Sequence, residues 1–253
     1  MTVALKALVA EANALLEPQQ FQDYCPNGLQ VQGSSDVAVL VSGVTASQAL
    51  IDRAIDLKAD AIIVHHGYFW KGEDPCVVGI KQKRLKALLD NNISLLAYHL
   101  PLDAHPTLGN NAQLAKLLDL EISGGLQPDQ SRPVGNVGRL LKPVAAEQFV
   151  REVAIKLGRE PTWIAGGPAM IETVAWCTGA AQSYIGDAIA LEADLFLSGE
   201  ISEPTVHVAR ESGIHYVAAG HHATERYGVK ALAEVLAQRL ALDHHFIDID
   251  NPV

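Results

Sequence analysis

The sequence predicts an α/β protein made of two related halves, each a series of buried strands alternating with helices. Three observations carry that prediction. Short apolar runs alternate with helix-length amphipathic stretches, the pattern of parallel βαβ units. Residues 46–60 and 180–194 align without a gap and share eight of fifteen positions: Ala46/Ala180, Gln48/Gln182, Ile51/Ile185, Ala54/Ala188, Ile55/Ile189, Leu57/Leu191, Ala59/Ala193 and Asp60/Asp194. Unrelated segments would share about one. Both halves also set histidine and carboxylate just beyond strand ends, where open α/β sheets gather functional groups.

The elements follow in order. Leu8, Val9, Ala12, Leu15 and Leu16 recur at helical spacing, so an amphipathic helix opens the chain and stops near Pro18. Residues 37–41 form a valine-rich strand, and a helix runs from Thr45 to about Leu57. The run 61–64 is a buried strand that ends on His65-His66. A basic helix over 81–89, a strand over 93–98 ending at His99, and a helix over 109–118 complete the first half. In the second half the repeat register sets His66 against Glu200, just after the strand 195–197. It also matches the strand before His99 with 216–219, so His99-x-x-x-Asp103 corresponds to His221-x-x-x-Glu225. The Gly-, Pro- and Ser-rich stretch from Gly124-Gly125 to Asn136 is the expected join, which divides the chain into 1–125 and 126–253.

Composition narrows the function. The 253 residues are 49% hydrophobic and 19% charged, enough for a sizeable core and unlike a disordered chain. A net charge of −10 argues against non-specific binding to nucleic-acid backbones or to anionic membranes. No segment offers the roughly 18 apolar residues of a membrane span, and the N-terminus lacks a signal-peptide pattern. Cys25, Cys76 and Cys177 are too scattered for a disulfide framework or a thiolate metal site, which suits a reducing cytoplasm. Histidine stands out: of ten, six sit in the adjacent pairs His65-His66, His221-His222 and His244-His245.

Adjacent side chains on a strand point to opposite faces, so His65 and His66 can share a site only where strand geometry ends. Gly67 follows at once and allows the turn. His221 at a helix mouth and Glu225 one turn inside fall on one side by the i, i+4 rule. Asp103 and Glu225 could instead decorate helix N-termini, where carboxylates are favourable. The duplicated spacing shifts the balance toward a shared site. Imidazole and carboxylate without thiolate suit Zn, Mn, Fe, Co or Ni. Four or five such groups exceed the needs of one open ion, and two ions account for the surplus, with hydrolysis the default chemistry.

At that point the sequence resembles one family. His65-His66-Gly67-Tyr68-Phe69-Trp70-Lys71-Gly72, His99-Leu-Pro-Leu-Asp103-Ala-His105-Pro106, Gly109-Asn110-Asn111, Ser198-Gly199-Glu200 and Gly220-His221-His222-Ala223-Thr224-Glu225 are similar to the signatures of the NGG-one-interacting-factor-three-like family. Its members are commonly labelled GTP cyclohydrolase I type 2 homologues or dinuclear metal centre proteins. The similarity runs from Tyr24-Cys25-Pro26-Asn27 to the final Asn251-Pro252-Val253. It implies a dinuclear metal site between two related α/β domains with mixed or parallel sheets, in a ring-shaped homohexamer. The family's ligand positions fall on His65, His66, Asp103, His221 and Glu225, all matching in residue type.

The expected activity is hydrolysis of a small nucleotide- or heterocycle-like molecule by two divalent ions, with Asp103 and Glu225 as bridging carboxylates. His99 and Glu200 are candidates for orienting a ligand or transferring a proton. The alternative is a non-enzymatic metal-binding or metal-delivery protein. His222 is expected to turn away from His221. Asp243-His244-His245, in a terminal strand-like run, is not expected to bind metal. Lys81, Lys83, Arg84 and Lys86 read as a solvated helix face, with phosphate binding the alternative. Phe69 and Trp70 suit either a ligand wall or a subunit contact, and Cys177 reads as a small buried hydrophobe. No phosphate-binding P-loop or His-Glu-x-x-His helix occurs.

Overall fold

The computed structural model describes residues 2–253. The chain divides into two compact units, one of residues up to Leu102 with Val229–Asp250, the other of Asp103–Gly228 with Asn251–Val253.

In the first unit, β1 (Val3–Ala4) leads into α1 (Leu5–Leu16), whose buried face is Leu5, Leu8, Ala12 and Leu16. Then come β2 (Gly28–Val31), β3 (Asp36–Val37), β4 (Val39–Thr45), α2 (Gln48–Asp56), β5 (Ala61–His66), α3 (Gly79–Asp90), β6 (Ser94–Ala97) and the single turn α4 (Leu100–Asp103), whose last residue belongs to the second unit. The strand expected over 37–41 is split. β3 pairs with β1, and the Asp60 carboxylate takes the backbone N–H groups of Ala38 and Val39 at 2.8 and 2.9 Å. The helix expected to open over 45–48 begins at Gln48, with Ser47 as its cap, the hydroxyl accepting from Leu50 N–H.

Strands β4, β5 and β6 run parallel, and β2 closes the sheet antiparallel to β6. Strands covered on both faces read as continuous apolar runs, which is why 61–64 carries no alternation. One face packs Val41, Ile62, Val64 and Leu95 against Leu50, Ile51 and Ala54 of α2 and Leu88 of α3. The alternate residues Leu40, Ile63 and Leu96 are fully buried as well.

The second unit holds α5 (Asn110–Leu117), β7 (Leu120–Gly125), β8 (Asn136–Ala145), α6 (Ala146–Leu157), β9 (Thr162–Ile164), β10 (Met170–Cys177), α7 (Ile185–Ala190), β11 (Leu195–Ser198), α8 (Glu203–Ser212) and β12 (His215–Ala218). Its six-stranded sheet has the order β7-β8-β10-β11-β12-β9, with β10, β11 and β12 parallel. Alternation along β10 feeds two cores. Val174 and Trp176 pack with Phe149, Val150 and Val153 of α6, and Ala175 and Cys177 pack with Ile185, Ala188 and Ala209 of α7 and α8. Helix α9 (His221–Leu240) gives its residues through Gly228 to this unit and those from Val229 to the first. After it, β13 (Asp243–Phe246) lies parallel to β4, at the edge of the five-stranded sheet β13-β4-β5-β6-β2.

The duplication extends to atomic detail. Asp194 takes the N–H groups of Glu172 and Thr173 with one carboxylate oxygen, as Asp60 does those of Ala38 and Val39. The backbone O of Asp60 accepts from Ser94 N–H, and that of Asp194 from His215 N–H. The units do not divide at 125/126. The Gly- and Pro-rich stretch after Gly125 connects two antiparallel neighbours, β7 and β8, within one sheet. No helix among the described residues is long and apolar enough to cross a membrane.

Candidate metal centre

In the first unit the functional side chains cluster past the carboxyl ends of β5 and β6. His65 and His66 close β5, with Thr45 of β4 opposite His66. Despite their alternation the two rings lie with centroids 4.5 Å apart, and His99 brings a third ring to 5.1 Å from His65. One nitrogen from each of the three lies within 4.8 Å of the others. Trp70 stands edge-on to His99 at 5.1 Å, its indole N–H donating to Gly67 O.

The backs of these rings are held. His65 is fully buried, and its Nδ1–H donates to Tyr98 O at 2.9 Å. A carbonyl can only accept, so the tautomer is fixed, with the ring's lone pair on Nε2. His66 Nδ1 meets Thr45 Oγ1 at 3.2 Å. His99 Nδ1–H donates to Asp23 Oδ1 at 2.7 Å. Asp23 Oδ2 also takes Asn27 Nδ2 and Leu100 N–H. Burial pushes the Asp23 pKa up, but the hydrogen bonds from His99 and Asn27 outweigh it and hold the group below its ordinary value.

In the second unit, α9 opens at His221, and its next turn carries Glu225. Nε2 of His221 meets Glu225 Oε2 at 3.1 Å, and Nδ1–H donates to Glu200 Oε1 at 2.7 Å. Burial pushes the His221 pKa down. The hydrogen bonds and charges of Glu225, then Glu200, outweigh that and raise it to about 9. Asp103, 6% exposed, has a carboxylate oxygen within 4.8 Å of one on Glu225. Its Oδ1 accepts from Asn110 Nδ2 at 2.8 Å. Asn110 in turn takes Gly228 N–H at 3.1 Å, and Asn111 accepts from Thr178 N–H at 3.0 Å.

Between these groups runs the turn after β10. Gly179 has φ +70°, and a Cβ there would stand 2.2 Å from Glu225 Oε1 and 3.2 Å from His221 Nε2. Only glycine suits both the backbone and the space. Thr224 anchors the turn, its hydroxyl accepting from Gly179 N–H. The strand-end register sets His99 opposite Gly220, so the spacing shared with His221 includes one inserted residue. Tyr98 N–H bonds Val64 O and Ala219 N–H bonds Ser198 O, and Gly220 with φ +102° is the extra step.

The site residues expected from sequence thus fall into two sets, His65 and His66 in the first unit and Asp103, His221 and Glu225 in the second. His99 joins the first set, and Glu200 holds the back of His221. Among the described residues, no cluster of three potential ligands includes His222, His244 or His245. His244 is instead bonded to Ser42 Oγ at 2.7 Å within the sheet, and burial holds its pKa below the ordinary value. Lys81 of the basic helix pairs with Glu73, and Lys86 with Asp90. Burial pushes the Cys177 thiol well up, with the Asp103 and Glu225 charges adding to it. Asp23, Thr178 and Gly179 were not evident from sequence. The Asp23-x-x-x-Asn27 spacing was the one local signal for the first of them.

The family model described as Duf34/NIF3 (NGG1p interacting factor 3) matches residues 3–252. The chain belongs to the Duf34/NIF3 family. Similar Duf34/NIF3 proteins include one named GTP cyclohydrolase 1 type 2 homolog from Pseudomonas aeruginosa, 57% identical over 252 residues and covering 100% of both chains. One of the same name from Escherichia coli K12 is 52% identical over 241 residues, 95% of this chain and 96% of its own. The solved structure of protein ybgI, of unknown function, has a TM-score of 0.96 at 50% identity, covering 99% of this chain and 100% of its own. TTHA1606 from Thermus thermophilus has a TM-score of 0.90 at 34% identity with the same coverage.

Proposed function

We propose that this Duf34/NIF3 protein is a metal-dependent hydrolase of a small nucleotide- or heterocycle-like molecule, and that His65, His66, Asp103, His221 and Glu225 hold two divalent ions. The observation that carries this reading is the common attitude of the histidines. His65, His66 and His221 each have Nδ1 engaged, by a backbone carbonyl, a hydroxyl and a carboxylate respectively. Partners of that kind fix the ring orientation and raise the basicity of a metal-binding imidazole. The donor set of imidazole and carboxylate fits Zn, Mn, Fe, Co or Ni. The room kept by Gly179 beside Glu225 and His221 fits it too.

Bound divalent ions would supply a water of lowered pKa and polarise the group under attack. The chain's own residues do the rest. Asp103, locked by Asn110, and Glu225, set by the turn of α9, offer carboxylates suited to bridging. Glu200 positions His221 through Nδ1. His99, its Nδ1 held by Asp23, is a group of the first unit suited to orienting a ligand or relaying a proton. The name GTP cyclohydrolase 1 type 2 homolog carried by the similar proteins supports trying GTP and related nucleotides first. Assembly into a ring-shaped homohexamer and a cytoplasmic setting belong to the same reading.

The test is a hydrolase screen over nucleotides and nitrogen heterocycles. It compares chelated protein with protein reloaded with Mn, Zn or Fe. Activity is expected only in the reloaded protein, and Glu225→Ala and His66→Ala are expected to abolish it without unfolding the chain. Full activity in the metal-free protein would refute the reading. Stoichiometric, exchangeable metal with no turnover would point instead to metal delivery.

A further inference from the structure

On the Nδ1 side of His221, within the second unit, lies a cavity of about 300 Å³. Its walls include Arg159, Thr162, Glu200, Ala218, Gly220 and Val253. Arg159 follows Gly158, the left-handed residue that ends α6, and its N–H returns to Ala154 O. The side chain then lies along the backbone at Gly220. A Cβ at Gly220 would stand 2.3 Å from Nη1 and 2.8 Å from Cδ of Arg159, so a glycine is what lets the guanidinium rest there.

Among the described residues the arginine takes part in no ion pair. Its Nη1 is shielded from solvent and has no hydrogen-bond partner among the described residues. A shielded, unsatisfied donor is unfavourable, and more so on a charged group. Of the other polar groups in the wall, Glu200 is held by His221 Nδ1–H and Val253 O accepts from His222 N–H. The cavity therefore sets an arginine with one unsatisfied donor beside Thr162 and beside Glu200, which holds the imidazole of the candidate centre. A planar guanidinium fork matches oxyanions, which it grips with paired, charge-assisted hydrogen bonds.

We infer that this cavity binds a small oxyanion, phosphoryl or carboxylate, through Arg159, and that the oxyanion is the non-reacting anionic end of the molecule handled at His221. The role as a substrate handle rests on the metal-dependent reading above, whereas the anion site requires no metal. Binding energy from such a remote group serves to orient the reacting one.

The experiment is calorimetric titration of inorganic phosphate and, separately, malonate into the full chain, made metal-free by chelation. The same titrations are run on Glu225→Ala, Arg159→Gln and Arg159→Lys. At least one anion is expected to bind saturably to the wild-type protein and to Glu225→Ala alike. Arg159→Gln is expected to weaken that binding about tenfold to a hundredfold, the range for charge-assisted hydrogen bonds. Arg159→Lys, which keeps the charge but loses the fork, is expected to fall between the two and decides the matter if the glutamine variant does not fold. The inference is overturned if neither anion binds the metal-free protein, if binding vanishes in Glu225→Ala, or if the Arg159 variants bind like wild type. Because every arm is metal-free, a failed hydrolase screen leaves this result standing, and the reverse also holds.

Discussion

Replacing Glu225 by Gln tests the electrostatics of the second unit's site directly. The His221 pKa is raised from 6.5 to about 9, with Glu225 the largest raising influence. At 1.36 kcal/mol per unit that shift corresponds to about 3 kcal/mol, and screening at a side chain 27% exposed reduces it to about 2 kcal/mol. A folded-state pKa above the unfolded value stabilises the charged form. The contribution is therefore fully present below pH 6.5 and is lost as pH rises through about 9. Metal-free wild-type protein should lose about 2 kcal/mol of stability between those pH values, and Glu225→Gln should flatten most of that slope. The assays are a histidine NMR titration and chemical denaturation across pH 6 to 10. Because a bound metal must displace the same proton, metal affinity should climb about tenfold per pH unit below 9. An imidazole that titrates near 6.5 in the wild type and does not move in Glu225→Gln would refute the reasoning.

Two further substitutions probe the supports. Gly179→Ala forces a side chain into a left-handed backbone at about 1–2 kcal/mol and drives a methyl into the Glu225 carboxylate. Metal affinity measured by competition with a chelator should fall at least about tenfold while the circular dichroism spectrum is kept; unchanged affinity would contradict the role given to this turn. Asn110→Ala removes a donor to Asp103 and orphans Gly228 N–H. It should destabilise the protein by about 2 kcal/mol or more in denaturant unfolding, and a neutral effect would show that the amide does not hold the carboxylate.

Much of the fold was legible because its signals are local. The run 61–64 is buried on both faces and ends on His65-His66, and it appears as β5 with those residues at its tip. The repeat at 46–60 and 180–194 proved to be the helix and turn between matching parallel strands, ending on the paired clamps Asp60 and Asp194. What escaped depends on pairing between distant segments. Nothing near Asp243 announces that β13 will lie beside β4, so the division at 125/126 missed the return of 229–250 to the first unit.

The centre shows the same contrast. Histidines beside strand ends and the His221–Glu225 turn are readable from spacing. The groups that fix them are not: Asp23 reaches His99 from 76 positions away, and Thr178 and Gly179 become significant only once β10 is set beside β11. The Gly109-Asn110-Asn111 motif was visible without a role, which only the bonds to Asp103, Gly228 and Thr178 supply.

Whether five side chains hold two ions, as proposed, is decided by a metal count. Elemental analysis of protein reloaded with a single divalent metal and freed of excess should give about two ions per chain. His66→Ala and Glu225→Ala should each give fewer, at unchanged fold. One ion or none per wild-type chain, or a count indifferent to both substitutions, would rule out a two-ion site built from these residues.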